Sequence, residues 1–314
     1  MEEPGPTAIT GSARVLEHRL APLGGAVLAT LFWSVGNLMA KASDLPGPQL
    51  AFWRVLFGAL IYQAIFRVRG GRMSWAALRV AVVGGTAFGL SSALLFTALQ
   101  TSSVASVTII TALQPVFLLP YAVRRLGERV DAARIALTGL ALAGTVVAVL
   151  AASSSGSWSL FGDALAFIGM FAGCAYFVGT KHARVRLGAI EYQAAALTVA
   201  IAVAFAGAMV TGPGLVTPSV GDLWWALLMA IIPGTGHLVM IWAQKQLPVS
   251  TTATIALDVV VLSSIGAALL YGQTLVPMQV AGMALVLVAL ALYVRRSSAE
   301  AIPDPGEIPV TPGE

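Results

Sequence analysis

The sequence predicts an all-α integral membrane protein of ten transmembrane helices, arranged as two inverted five-helix repeats. Three observations lead to this fold class: long apolar runs, a one-sided distribution of basic residues, and an internal similarity between the two halves of the chain. Of 314 residues, 58% are hydrophobic and 10% are charged, and the mean hydropathy is +0.86. Soluble domains carry about 25% charged residues, so most of this surface faces lipid.

The apolar runs have the length that a membrane requires. A bilayer core of about 30 Å is crossed by roughly 20 helical residues, and backbone groups in hydrocarbon must bond within the segment, which favours helices over open strands. The runs are also too long for barrel strands. Ten of them follow one another along the chain, at 22–40, 46–66, 75–99, 103–123, 132–152, 159–180, 188–210, 222–244, 249–271 and 275–294.

The basic residues orient these spans. With a cytoplasmic N-terminus, sixteen of the 18 Lys and Arg residues fall in cytoplasmic segments, Lys41 falls outside, and Arg54 lies within a span. Such an excess on one side is the positive-inside pattern. It predicts a multi-pass protein of the plasma (inner) membrane with both termini in the cytoplasm. The N-terminal segment lacks the apolar core of a signal peptide, and the basic residues form no polar face for nucleic acid.

A shift of 145 residues aligns parts of the two halves. FTALQTSSVASVTII at 96–110 falls on IWAQKQLPVSTTATI at 241–255, and 118–130 falls on 263–275. Because each half holds five spans, an odd number, the second copy enters the membrane from the opposite side. Inverted repeats of this kind are typical of secondary transporters. The predicted organisation is a cytoplasmic segment at 1–21, repeats at 22–152 and 153–296, and a disordered cytoplasmic tail at 297–314.

Three local patterns carry a family resemblance. They are LPGPQLAFWRVLFGAL with Arg54, SVASVTIITALQPVFLLPYAV with Pro115 followed by LGERV with Glu128, and LYGQTLVPMQVAGMALVL in the second half. With the length and the duplication, the chain resembles the drug/metabolite transporter superfamily, in particular its EamA-type ten-helix carriers. The resemblance implies export or exchange of amino acids or related metabolites. The second half departs from the family pattern, because Val260 stands where Pro115 maps and Asp258 is an added charge.

Two formal charges lie deep inside the spans, away from the span ends, and each has two interpretations. Asp258 is near the middle of the ninth run, where a charge costs about 2.5–3.5 kcal/mol on insertion scales. It is a candidate for proton coupling or cation binding, since desolvation disfavours the charged form of a carboxyl group; otherwise it is a structural acid bonded to a neighbouring Ser or Thr. Arg54 binds a substrate carboxylate with its fork of donors, or it snorkels to the outer interface. An Arg54–Asp258 ion pair is a further hypothesis.

His237 is a candidate substrate-binding residue because of the sequence that precedes it. Pro233, Gly234 and Gly236 loosen this part of the eighth run and predict a kink or break. Gly85 and Gly89 lie at the matching place in the third run, and interrupted helices in both halves indicate a transport site. The alternative is that these glycines allow close helix packing.

The remaining candidates are polar or aromatic residues deep in the spans. Trp33 and Asn37 are expected to face a central cavity, and Pro115 is expected to bend the fourth span. Gln114 binds substrate or satisfies a carbonyl that the proline frees. Tyr176, Trp53 and Trp242 are further stacking candidates. Glu128 is expected to cap the fifth span and to pair with nearby arginines.

These observations predict a secondary-active or facilitative carrier of a small metabolite, an exporter working by alternating access. The alternatives are a proton-coupled multidrug or cation exporter and, less favoured, a membrane enzyme acting on lipid-linked substrates. The three histidines are scattered and no metal-binding or nucleotide-binding motif occurs, so we expect no cofactor, no metal and no catalytic residues. The expected partners are the small-molecule substrate, protons and the lipid bilayer, without nucleic acid, in a monomer or homodimer.

Overall fold

The computed structural model describes residues 7–41, 43–102, 104–152, 159–210, 215, 217–272 and 274–300. Within them the secondary structure is helical. The helices are α1 (Thr7–Lys41), α2 (Gly47–Val68), α3 (Trp75–Thr101), α4 (Val104–Ala112), α5 (Gln114–Arg125), α6 (Ala132–Ala152), α7 (Leu160–Ala183), α8 (Ala189–Val210), α9 (Val220–Gln244), α10 (Val249–Ile255), α11 (Asp258–Tyr271) and α12 (Pro277–Glu300).

Ten segments of the described chain are long and apolar enough to cross a membrane, which confirms the predicted fold class. The fourth span, Ser106–Arg125, is built from α4 and α5, and the ninth, Val249–Leu270, from α10 and α11. The first and last helices are longer than the predicted spans. Helix α1 begins at Thr7, and α12 continues to Glu300, so its last four residues are helical where the sequence predicted a disordered tail from residue 297. Residues 1–6 and 301–314 lie outside the described part of the chain.

Short polar residues begin several of these helices. Ser74 accepts a hydrogen bond from the backbone N–H of Ala77 at the start of α3. Ser219 and Asp222 form a reciprocal capping box at the start of α9. Such caps satisfy backbone donors that have no partner within the helix. At the other end of α11, Gly272 adopts the left-handed conformation, with φ of 63°, which a glycine tolerates without steric cost.

The repeat is visible in where the helices begin. A shift of 145 residues relates the first residues of three helix pairs, namely Trp75 and Val220, Val104 and Val249, and Ala132 and Pro277. The third, fourth and fifth spans of the first repeat therefore match the eighth, ninth and tenth of the chain.

The fourth and ninth spans are interrupted at equivalent places. Leu113 separates α4 from α5, and the same shift places Asp258 opposite Leu113, at the start of α11. Pro115 lacks the N–H that a continuous helix would use. The ninth span has no proline there; instead the amides of Leu257, Val259 and Val260 bond to carbonyls three residues earlier, at 3.1–3.3 Å. This tighter pattern is the 3₁₀ geometry that marks a local break in an α-helix.

The two repeats interlock instead of packing as separate lobes. Helices of the first repeat pack on helices of the second: α3 packs on α7 and α8, α1 on α9, α2 on α8, and α6 on α12. Side chains from both repeats consequently meet in the interior.

Candidate functional site

Arg54 of α2 and His237 of α9 form the centre of the candidate site. The Nη2 atom of Arg54 lies 3.1 Å from Nε2 of His237, and the arginine side chain is only 8% exposed. A guanidinium is always a donor and never an acceptor, so Nε2 must be the acceptor and must be unprotonated. The ring proton of neutral His237 is therefore on Nδ1, which lies 3.5 Å from the hydroxyl oxygen of Tyr176 on α7.

Aromatic rings surround this pair. The His237 ring centroid lies 4.8 Å from that of Phe88 and 5.0 Å from that of Trp33. The guanidinium carbon of Arg54 lies 5.3 Å from the Phe88 centroid and 5.6 Å from the Phe96 centroid. These distances are within the range of cation–π attraction, so the rings stabilise the cation and form apolar walls beside it.

The charge of Arg54 has no carboxylate partner among the residues that the structure describes; its polar neighbour there is the neutral imidazole. The indole N–H of Trp33 is also buried and has no hydrogen-bond partner in the described chain. A charge removed from water is costly unless an opposite charge or hydrogen bonds compensate it. The site therefore presents a cation and an unsatisfied donor, an arrangement that suits an anionic group.

Asp258 occupies a different place, a polar seam between α1 and α11. Thr30 donates from Oγ1 to Oδ2 of Asp258 at 3.3 Å, while Oδ1 is buried and has no partner among the described residues. Further along the seam, Ser34 donates to the carbonyl of Val259 and Asn37 donates to Ser263 Oγ, at 3.3 and 3.4 Å. Asn37 thus lies in this seam and not beside His237.

The hypothetical Arg54–Asp258 ion pair is not formed in the described structure, since Arg54 bonds to His237 and Asp258 to Thr30. The two sites are nevertheless close along one helix. Thr30 and Trp33 are three residues apart on α1, and residues so spaced lie on adjacent turns of one face. Helix α1 therefore connects the Asp258 seam to the His237 cluster.

The predicted interruptions at the glycines of the third and eighth spans are absent. Helix α3 is continuous through Gly85 and Gly89, and α9 is continuous through Pro233, Gly234 and Gly236. No break therefore occurs at these positions, where a kink stays a prediction, and the interruptions lie in the fourth and ninth spans.

Close packing explains most of these glycines. A Cβ added at Gly85 would lie 2.5 Å from the carbonyl oxygen of Ala196, and one at Gly89 would lie 2.9 Å from that of Ala200. A Cβ added at Gly236 would lie 3.0 Å from both Trp33 and the carbonyl oxygen of Ala29, and Pro233 packs against Gly36. Gly234 differs, because its nearest neighbour, Tyr62, would be at an ordinary 3.7 Å.

Gln114 begins α5 next to Pro115, just after the break in the fourth span. Its side-chain amide fills the space beside Gly173 of α7 that a Cβ there would enter. Among the described residues this amide makes no hydrogen bond, and it does not satisfy a carbonyl that Pro115 frees. Gln114 thus keeps its donors and acceptor available, on the α7 side of the break.

Glu128 is not the cap of the fifth span. That cap is Asp131, whose Oδ1 accepts from the N–H of Arg134 at 2.7 Å and whose Oδ2 lies 2.8 Å from Arg296. The Glu128 carboxylate instead accepts from the backbone N–H groups of Val249 and Ser250, at 2.6 and 3.1 Å, at the start of α10. The expected cap on its own repeat is therefore corrected to a cap on the other one.

The further stacking candidates lie in three different places. Tyr176 is in the cluster, Trp53 packs edge-to-face on Phe52 of the buried core with centroids 5.1 Å apart, and Trp242 is 39% exposed. Sequence reasoning missed Phe88, because an apolar ring in a membrane span is equally suited to facing lipid or an interior site. No group of three or more metal-ligating His, Cys, Asp or Glu residues occurs within the described ranges.

Comparisons with known proteins agree with this architecture. A family model described as the EamA-like transporter family matches residues 22–150 and again 160–295. A solved crystal structure, described without any activity, has 19% sequence identity and a TM-score of 0.72, over 88% of this chain and 97% of its own. At that identity the likeness shows the fold alone. No curated protein matches the chain.

Proposed function

We propose that this chain, which belongs to the EamA-like transporter family, is a secondary-active or facilitative carrier that exports a small metabolite bearing a carboxylate, such as an amino acid or a related solute. The observation that carries the proposal is the buried Arg54 guanidinium, which bonds to neutral His237 and has no anionic partner in the described chain. A substrate carboxylate would supply the missing charge and accept both guanidinium donors.

The walls of the site indicate the rest of the substrate. Phe88, Trp33 and Phe96 offer flat apolar surfaces beside the cation. Rings of this kind favour a planar or apolar body through contact area and stacking. The proposed substrate therefore combines a carboxylate with an apolar or aromatic part. It is small enough for a site between α1, α2, α3, α7 and α9.

Asp258 is proposed to couple transport to protons. It is 7% exposed, and among the described residues only one of its carboxylate oxygens has a partner, Thr30. A proton on Oδ1 would remove the cost of burying the charge, and deprotonation would follow when the α1–α11 seam opens to water. The termini are proposed to be cytoplasmic, as the positive-inside pattern indicates.

The second candidate function is a proton-coupled multidrug or cation exporter. The same half-bonded carboxylate favours it, because a single membrane acid can accept protons and cations in turn. In that case the substrate would bind at Asp258, and Arg54 would be a packing residue.

Counterflow into proteoliposomes tests these assignments. The panel contains aromatic and aliphatic amino acids, their decarboxylated amines and cationic dyes, with and without a pH gradient. Selective flux of the carboxylates supports the first function, and selective flux of amines or dyes supports the second. Asp258→Asn is expected to abolish the stimulation by a pH gradient while Asp222→Asn, in an exposed helix cap, leaves it intact; stimulation that survives Asp258→Asn would overturn the coupling assignment.

A further inference from the structure

Two carboxylates connect the repeats at the ends of the interrupted spans. Glu128 follows the fourth span of the first repeat and binds α10 of the second repeat. Besides the two backbone amides, its Oε2 accepts from Ser250 Oγ at 2.6 Å. Three hydrogen bonds to one carboxylate at a helix start, where the peptide dipoles also favour negative charge, make a strong local contact.

Asp163 makes a comparable contact from the second repeat to the first. It lies in the first turn of α7, in the second repeat, and binds the first repeat where α4 begins. Its Oδ1 accepts from Ser102 Oγ at 2.6 Å and its Oδ2 accepts from Ser106 Oγ at 2.7 Å. Gly162 permits this approach, since a Cβ there would lie 2.6 Å from Cβ of Ser102.

The two contacts lie on opposite sides of the membrane. Ser106 starts the fourth span and Glu128 follows the end of that span at Arg125, so one crossing of the bilayer separates them. They also hold equivalent elements, because the 145-residue shift takes Val104, the first residue of α4, to Val249, the first residue of α10. Each half-helix is therefore held at its membrane edge by a carboxylate of the other repeat.

The boundary at Glu128 runs between the two repeats. Lys181 of α7 donates to the carbonyls of Gln244 and Leu247, at 2.9 and 2.7 Å, and so ties the α9–α10 connection to its own repeat. Glu128 ties that connection to the first repeat. Deeper in the same boundary, the hydroxyl oxygens of Thr138 and Thr254 lie 3.1 Å apart.

We infer that Glu128 and Asp163 are the two closures of the carrier, each holding one side of the molecule shut until its contact is broken. The inference rests on the proposed transport function, and it assigns positioning residues that do not touch substrate. Because the two contacts hold equivalent half-helices at opposite membrane edges, releasing one favours opening on its own side and leaves the other closed. The structure holds both contacts, which is the arrangement of a state closed at these two ends.

Hydrogen exchange of the purified full chain in lipid nanodiscs tests this inference. The variants are Glu128→Ala and Asp163→Ala, with Glu128→Gln and Asp163→Asn as milder forms should an alanine variant not fold. Peptides covering 245–255 report the Glu128 side, and peptides covering 99–110 report the Asp163 side. The matched controls are Glu191→Gln, in the first turn of α8, and Asp222→Asn, which caps its own helix.

The expected result is reciprocal. Glu128→Ala should speed exchange in 245–255 by about tenfold, the ratio that corresponds to losing a hydrogen bond to a charged group, and should slow it in 99–110. Asp163→Ala should do the reverse, and both controls should match the unmodified protein. Faster exchange on both sides, a change confined to the mutated side, or no change would each overturn the inference.

Transport measured on the same samples separates this inference from the proposed function. If the unmodified protein transports solute but the exchange pattern is not reciprocal, the closures are wrong and the carrier stands. If no carboxylate moves in counterflow although exchange is reciprocal, the substrate assignment fails while the two closures remain supported.

Discussion

The guanidinium of Arg54 lies 3.1 Å from Nε2 of His237, and the two residues belong to opposite repeats of the chain. Their contact joins α2 to α9 in the interior of the fold. The imidazole can accept this bond only through an unprotonated nitrogen, so its other nitrogen is directed to Tyr176 as a donor. A cation from one repeat and a polar ring from the other thus meet at the candidate site, to which each repeat contributes a residue.

Replacing Arg54 by lysine should weaken substrate binding more than it weakens folding. Lysine keeps the charge but loses the planar fork that matches a carboxylate, and a hydrogen bond to a charged group contributes about 1.5–3 kcal/mol. The apparent affinity in counterflow should therefore fall by about 10-fold to 150-fold. Arg79→Lys is the matched control. Arg79 also lies over a ring, that of Trp75 at 5.5 Å, but it is in the first turns of α3, away from the rings of Phe88 and Phe96 that contact Arg54. Equal losses in both variants would contradict the site.

Tyr176→Phe should have a larger effect on substrate affinity when His237 is present. The substitution removes the hydroxyl that faces Nδ1 and leaves the ring contacts with Phe88, 5.2 Å away, in place. We expect a loss of affinity of about 0.5–1.5 kcal/mol, the net contribution of a neutral hydrogen bond. The same change made in a His237→Gln background should cost less, and a double-mutant cycle measures the difference. Strict additivity would show that Tyr176 acts independently of the histidine.

Gly85→Ala should destabilise the fold because the new methyl group would meet backbone. Its Cβ would lie 2.5 Å from the carbonyl oxygen of Ala196, and overpacking of this kind costs about 1–3 kcal/mol. Gly139→Ala in α6 is the control, since nothing lies within 4 Å of its Cβ and alanine is the better helix former by about 1 kcal/mol. Thermal unfolding in detergent should show a lower Tm for the first variant and an unchanged or higher one for the second.

The Asp131 carboxylate should contribute to the free energy of unfolding at neutral pH, and this contribution should be lost in acid. The N–H of Arg134 and then the charge and donors of Arg296 hold the pKa of this loop carboxyl below its ordinary value of 3.8. A group whose folded pKa is lowered adds stability above its unfolded pKa, and that stability is lost as the pH falls through the folded pKa. Asp131→Asn should therefore lower Tm at pH 7 and reduce the further fall below pH about 4; an unaltered acid profile would contradict the assignment.

The sequence was a reliable guide to the spans because hydropathy is a property of each segment by itself. Long apolar runs predicted all ten spans, and the 145-residue shift identified helix pairs that begin at equivalent residues, such as Val104 and Val249. The break in the ninth span was not predicted, because Val260 stands where the first repeat has Pro115 and a valine does not interrupt a helix. The glycines near His237 predicted a break that the structure does not contain. In a sequence, a glycine that loosens a helix cannot be distinguished from one that lets another backbone approach.

The assembly of the site depended on contacts that no local pattern encodes. Arg54, Asp258 and His237 were each found as polar groups in apolar runs, but their partners, Thr30 for Asp258 and the ring of Phe88 for His237, come from distant helices. Glu128 likewise carried the signature of a helix cap, yet the helix that it caps belongs to the other repeat.

Burial in lipid is an energy summed residue by residue along one helix, so the ten spans, their pairing into repeats and the residues that are costly to bury follow from the amino-acid order. Which of these residues meet is a matter of how the helices pack, and packing joins groups far apart in the chain. The neutral tautomer of His237, the Asp258 oxygen that has no partner in the described part of the chain, and the contacts that Glu128 and Asp163 make with the opposite repeat are therefore properties of the assembled fold.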